Sequence, residues 1–417
     1  MSTFRINFHE AIYSLSDALD LVGVTHIHHG KRVAYIAAEI ARKANWPKSR
    51  VDDLFQAAIL HDCGVSKTQV HARLAQFEWE CEDEHCVLGA ELTESCSLLK
   101  SLSNLIRYHH THWQILQELP LSPEEKLAAN CIYLADRIDI ACLAEREASG
   151  NLLLTRDDVC ARIYEKRGSW FEASLVDDFL EVASSEAFWF ALEGEHVSGY
   201  ITRWMFDSET VEVGFQELRN LVGVFSKIVD AKSTFTHEHS EGVASLARHL
   251  GELFELPERT CEMLELAGLL HDLGKLRVPD ELLEKNGKLT AVEYANVQRH
   301  SFDTYSILKN IHGLEEVALW AGQHHERIDG SGYPYHRSKE EISFESRIVA
   351  AADVFQALAQ TRPYRGPLPP SEILTILKQQ ALDGKLDPIV VAKIEANIAV
   401  CHQVAIATEL RRMSAVA

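Results

Sequence analysis

Along most of the chain apolar residues recur at three- and four-residue intervals, as in Val33-Ala34-Tyr35-Ile36-Ala37-Ala38-Glu39-Ile40 and Ser371-Glu372-Ile373-Leu374-Thr375-Ile376-Leu377-Lys378. That period lays one apolar stripe along an α-helix, whereas the two-residue alternation of a half-buried strand is scarce. The expected fold class is therefore all-α. Turn formers punctuate the pattern at Asn45-Trp46-Pro47, Leu256-Pro257, Asn286-Gly287 and 329–334, where Gly330 and Gly332 permit positive φ, and no low-complexity stretch interrupts it.

The helical pattern is written twice. His61-Asp62 and His271-Asp272 each follow an apolar run, and His29 and His239 precede them by the same 32 residues. Downstream, His85 to His109 and His300 to His324 both span 24 residues, and each second histidine opens a doublet, His109-His110 and His324-His325. Asp136 and Asp353 then follow at 26 and 28 residues past the doublets. One such match could arise by coincidence, but the ordered set implies an internal duplication. The expected domains are 1–210 and 211–417, with the boundary somewhere in 200–225.

Composition narrows the function. A chain of 417 residues with 46% hydrophobic and 25% charged positions can bury two cores and is ordinary for a folded protein. With 62 acidic against 41 basic residues its formal charge is -21, which repels extended nucleic acid and anionic membrane surfaces. A small phosphate substrate would then need local cations, either metal or a few placed Lys and Arg residues. Nine cysteines without a Cys-x-x-Cys pair suggest free, buried thiols in a reducing cytosol. No signal-peptide core and no apolar run of bilayer length is present, so cytoplasmic residence is expected.

In the second half His239, His271, Asp272, His300, His324, His325 and Asp353 form a pool of imidazole and carboxylate donors. Such donors suit Fe, Mn, Zn or Ni better than Mg or Ca, and seven exceed the needs of one ion. Any one of them alone reads more simply as a satisfied core residue; the joint pattern favours a site. Asp272 follows the strongly apolar run 264–270, where a carboxylate is costly without a cation or hydrogen-bond partners. Two metals sharing Asp272 would activate water against a phosphodiester.

Leu270-His271-Asp272-Leu273-Gly274-Lys275 and His324-His325-Glu326-Arg327-Ile328-Asp329-Gly330-Ser331-Gly332-Tyr333-Pro334 resemble the two signatures of the HD-GYP branch of the HD phosphohydrolase superfamily. Arg347-Ile348-Val349-Ala350-Ala351-Ala352-Asp353-Val354 and Arg362-Pro363-Tyr364-Arg365 continue the likeness, which runs from about 236 to 388. The resemblance implies two tandem HD-type helical domains and a centre of two divalent transition metals, iron or manganese, with nickel or zinc possible on purification. It implies hydrolysis of a cyclic dinucleotide to the linear form. His239, His271, Asp272 and Asp353 would hold one metal, and His300, His324 and His325 the other, with Asp272 bridging. Lys275 would bind a phosphate oxygen, Tyr333 would stand near the site, and Arg362 and Arg365 would contact substrate. The implied partner is a small cyclic dinucleotide, with no extended nucleic acid and no membrane; assembly as a homodimer is left open.

The chain departs from the family pattern in three places. Phe235 stands where three-metal members carry Glu, Gln356 where Asp is common, and Gly242 where Arg is usual. The first half keeps His29, His61, Asp62, His85, His109, His110 and Asp136 as a second candidate metal set. Val65 there replaces Lys275, and the Gly-Tyr-Pro loop is missing. It reads as a regulatory or structural duplicate, with a second enzyme as the rival. An HD unit without the loop ahead of an intact HD-GYP unit is similar to bacterial proteins that prefer 3',3'-cyclic GMP-AMP (cGAMP) over cyclic di-GMP. The alternatives are a non-catalytic cyclic dinucleotide receptor and a (p)ppGpp or nucleotide phosphohydrolase.

Overall fold

The computed structural model describes residues 2–22, 28–66, 84–143, 146, 151–206, 210–232, 239–361 and 365–407. It is helical apart from a two-stranded sheet pairing Thr3–Asn7 with Thr210–Gly214. The chain divides into two compact units, Phe8–Thr210 and Met1–Asn7 with Val211–Ala417. The N-terminal strand joins the second unit through Arg259, whose Nη1 donates to the Thr3 carbonyl at 2.7 Å, and through Phe4, whose ring lies 6.3 Å from Phe215. No helix among the described residues is long and apolar enough to cross a membrane.

Each unit is built on a pair of packed helices, His29–Lys43 with Lys48–Ile59 and His239–Leu253 with Glu258–Leu270. The corner between them is the same in both. Asn45 and Glu255 take left-handed φ values of 58° and 56°. The next residue closes the helix behind it, Trp46 N–H to the Ala41 carbonyl and Leu256 N–H to the Gly251 carbonyl, both at 3.0 Å. This six-to-one bond is the Schellman stop, and Pro47 or Pro257 then starts the next helix. Asn tolerates the left-handed region; Glu255 does so at some backbone cost.

Small residues let the paired helices approach closely. In the second unit a Cβ on Gly268 would lie 2.5 Å from the Ala244 Cα, and in the first a Cβ on Gly30 would lie 2.8 Å from the Ile59 carbonyl oxygen. The approach matters because His29 and His239 begin one helix of each pair, while His61-Asp62 and His271-Asp272 follow the other. Gly274 does the same for a third element: a Cβ there would meet the His300 carbonyl oxygen at 2.1 Å.

We expect Gly268→Val to destabilise the second unit, since overpacking costs about 1–3 kcal/mol when neighbours are backbone rather than flexible side chains. Denaturant unfolding reads this as a lower midpoint; an unchanged midpoint would mean the helices are not held in contact here.

Candidate metal centre

In the second unit the candidate ligands come from five segments. His239 opens the His239–Leu253 helix, His271 caps Glu258–Leu270 and Asp272 follows it. His300 lies within Ala291–Leu308, His324 and His325 follow Glu315–Gly322, and Asp353 lies within Phe344–Ala359. All but His325 are buried. Packing thus collects residues separated by more than a hundred positions into one ring of donors, in which His239, His271 and Asp353 form one close group and His300, His324 and His325 another.

Helix geometry aims the imidazoles. His271, His300 and His324 each set Nδ1 against the carbonyl three residues earlier, on Gly268, Val297 and Ala321, at 2.8, 2.5 and 2.6 Å. A carbonyl only accepts, so Nδ1 carries the proton and Nε2 is left to face the site. Burial holds the His300 pKa down at about 4 and that of His325 at about 3, and lowers His324 well below the usual range. These three rings are neutral, as metal ligands must be.

Asp272 lies between the groups. Its Oδ2 is 3.7 Å from His239 Nε2 and 3.3 Å from His271 Nε2, while its Oδ1 is 3.6 Å from His300 Nε2 and 3.9 Å from His324 Nε2. Asp353 Oδ1 completes the first side, 3.2 Å from His239 Nε2. Burial alone would raise the Asp272 pKa, but His271 and Lys275 hold it well below the carboxylate range. Asp272 Oδ1 is buried with no hydrogen-bond partner. The facing lone pairs of His300 and His324 Nε2, 3.2 Å apart, have no proton to share. An orphaned carboxylate oxygen beside converging lone pairs is costly without positive charge, so the residues fit divalent cations.

Lys275 forms an ion pair with Asp272 Oδ2 and keeps its side chain 20% exposed, within reach of both the ring and solvent. The Tyr333 ring lies 4.8 Å from that of His325, and its N–H donates to the His325 carbonyl at 3.2 Å. Positive φ, expected at Gly330 and Gly332, occurs at Gly330 (77°) but not at Gly332. Gly332 is needed for space: a Cβ there would meet the Arg327 nitrogen at 2.4 Å. Sequence reading missed Glu326, whose buried carboxylate accepts the Tyr335 and Arg337 N–H groups at 2.7 and 3.0 Å and so pins the loop beside the doublet. Its only signal was an acidic residue directly after the histidines. Arg365 donates to the Ala357 carbonyl at 2.8 Å, on the helix carrying Asp353; Arg362 and Phe235 lie outside the described residues.

The first unit gathers its seven counterparts in the same way. Asp62 Oδ2 is 3.3 Å from His61 Nε2, Asp62 Oδ1 is 3.7 and 3.8 Å from His85 and His109 Nε2, and Asp136 Oδ1 is 3.3 Å from His29 Nε2. His110 Nε2 lies 3.5 Å from Asp136 Oδ2. Val65 is buried, and no ammonium stands at its position.

The two units differ behind the first histidine. His29 Nδ1 meets Asp139 at 2.8 Å, and Arg32 Nε and Nη2 hold that carboxylate at 2.6 and 3.2 Å. In the second unit the same positions are Gln356 and Gly242: the Gln356 Oε1 accepts a hydrogen bond from His239 Nδ1–H, and a Cβ on Gly242 would meet the Ala405 carbonyl oxygen at 2.6 Å and the Gln356 side chain at 2.7 Å. A buried Arg–carboxylate pair in the first unit thus stands where the second has Gly and a neutral amide. The consequence is electrostatic. Burial would lower the His29 pKa, but Asp136 and Asp139 raise it to about 10.

Residues 27–141 and 223–390 each match an HD domain. Over 97% of its length the chain is 38% identical to the 3'3'-cGAMP-specific phosphodiesterase 1 of Vibrio cholerae, covering 95% of that protein. The chain belongs to the HD-GYP family. A cyclic di-GMP phosphodiesterase of Pseudomonas aeruginosa is 35% identical over 42% of this chain and 43% of its own length. The HD-GYP fold also appears in the crystal structure of the V. cholerae cyclic GMP-AMP phosphodiesterase V-cGAP3, which superposes with a TM-score of 0.63 at 24% identity over 95% of this chain and 98% of that one. Members of this family depend on metal, in keeping with the donor clusters described above.

Gln356→Leu removes the acceptor that fixes His239, and loss of such an outer partner typically weakens metal affinity about 10–100-fold. Competition with a chelator should show that loss in the C-terminal site; unaltered affinity would mean His239 is oriented without Gln356.

Proposed function

We propose that this chain is a metal-dependent phosphodiesterase that opens a cyclic dinucleotide at the C-terminal centre. The observation carrying this reading is Asp272, buried with its two oxygens turned toward different histidine pairs. His239, His271, Asp272 and Asp353 hold one divalent transition metal, and His300, His324 and His325 hold the other with Asp272 shared. Iron or manganese is the native pair, with nickel or zinc taken up on purification. When bound, such a pair supplies Lewis acidity to a phosphoryl oxygen and lowers the pKa of water at the site.

The protein's own part is charge and placement. Lys275 sits on Asp272 and turns its ammonium to a phosphate oxygen, where it neutralises charge that grows as water attacks and the ribose oxygen leaves. Tyr333 walls the site beside His325, and Arg362 and Arg365 supply cations that an acidic surface otherwise denies to an anionic substrate. The substrate is 3',3'-cyclic GMP-AMP in preference to cyclic di-GMP, a reading supported by the near full-length likeness to a relative of that named specificity. The enzyme acts in the cytoplasm, and a homodimer is its proposed assembly. The N-terminal unit, with Val65 in place of the lysine and no Gly-Tyr-Pro loop, regulates or scaffolds.

The test is chromatography of products from each cyclic dinucleotide, using protein purified without oxygen and analysed for metal. Asp272→Ala should abolish hydrolysis and release C-terminal metal, whereas Asp62→Ala should leave substantial hydrolysis. Abolition by Asp62→Ala in folded protein with its C-terminal metals in place would overturn the assignment to one unit. Lys275→Ala should keep metal and lower turnover by about 10²–10³, the usual cost of removing one placed charge-assisted contact. Arg365→Ala should weaken substrate binding with metal content unchanged; wild-type affinity for both dinucleotides would exclude it as a contact.

A further inference from the structure

The N-terminal cluster is not a plain copy. Where the second unit has Val354, the first has Arg137, whose Nε and Nη2 reach Asp136 Oδ2 at 3.1 and 2.7 Å. A fixed guanidinium therefore already compensates the half built from His29, His61 and Asp136. The second exchange is at Ser301, whose hydroxyl lies 3.3 Å from His300 Nε2. Its counterpart is Cys86. The Cys86 Sγ is fully buried and lies 3.4 Å from His85 Nε2 and 3.9 Å from His109 Nε2.

These separations have a chemical meaning. An ion bound tetrahedrally at about 2.3 Å from sulfur and about 2.0–2.1 Å from nitrogen sets those two donors about 3.5 Å apart. Asp62 Oδ1 lies 3.7 and 3.8 Å from the same two nitrogens, so sulfur and carboxylate both face the pair His85 and His109, with His110 grouped beside them. A second observation points to a ligand: Asp62 Oδ1, which faces the same two imidazoles, is buried without a hydrogen-bond partner.

We propose that the N-terminal unit holds one metal ion through Cys86, His85, His109 and Asp62, and that the thiolate makes this site select a thiophilic ion such as zinc or ferrous iron. Binding releases the thiol proton to solvent. A full set of protein donors, with His110 beside them, leaves no open position for water, which is the pattern of structural rather than catalytic sites. This role rests on the proposed division of labour, in which the N-terminal unit keeps its ligands and the C-terminal one carries the hydrolysis. The C-terminal centre contains no sulfur donor, so the two sites are separable by spectroscopy.

The experiment loads the full-length protein with cobalt(II) and follows thiolate-to-metal charge transfer in the near ultraviolet. The band should be present in wild type, persist in Asp272→Ala and vanish in Cys86→Ser, which should retain its C-terminal metal and wild-type hydrolysis. A cobalt-loaded wild type without the band, or a band surviving Cys86→Ser, overturns the proposal. Should Cys86→Ser fail to fold, X-ray absorption of the zinc-loaded wild type decides: a sulfur scatterer at about 2.3 Å supports the site, and a shell of nitrogen and oxygen alone overturns it.

Discussion

A carboxylate buried among imidazoles is the constraint around which each unit is organised. Asp62 and Asp272 follow helices whose inner faces are apolar, and with their side chains only 16% and 3% exposed neither carboxylate is fully solvated by water. Their negative charge is tolerable only if positive charge is held beside it. Four histidines are set against each aspartate; backbone carbonyls orient His61, His109, His271, His300 and His324, while Asp139 and Gln356 orient His29 and His239, and together they give that charge a defined place. The close helix approaches at Gly30 and Gly268 and the Schellman corners serve the same end, because they fix where the ring closes.

After duplication the two units kept this frame and diverged around it. The Arg32–Asp139 pair behind His29 corresponds to Gly242 and Gln356 behind His239, where a Cβ at 242 would meet both the Ala405 carbonyl and the Gln356 amide. The first unit thus backs its leading histidine with a carboxylate and the second with a neutral amide. Arg137 against Val354, Val65 against Lys275 and Cys86 against Ser301 continue the divergence. Each alters charge or softness next to an unchanged donor, leaving one unit internally compensated and the other open to anionic substrate.

The loop beside the second histidine doublet shows how a short motif is made rigid. Glu326 satisfies two backbone N–H groups, Asp329 accepts the Ser331 N–H at 2.9 Å, and the Asp329 N–H reaches the Gly384 carbonyl at 3.0 Å. Tyr333 is thereby placed against His325 by the backbone rather than by its own contacts. Its role in the proposed chemistry rests on that placement.

Helical class, duplication and the pool of candidate donors were legible in the sequence, because a three-to-four residue period and a 32-residue interval are local quantities that need no fold to be counted. The same reading could register that Gly242 and Gln356 were unusual, but not that they stand side by side, since they lie more than a hundred residues apart and meet only when two helices pack. It took Gly332 for a φ requirement, whereas the tertiary contact with Arg327 makes it a space requirement. Glu326, Arg137 and Cys86 were silent in sequence for a common reason. Their side chains acquire meaning from what stands within a few ångströms, and in a helical fold those neighbours come from other turns and other helices, so only the tertiary structure could decide which donors face one another.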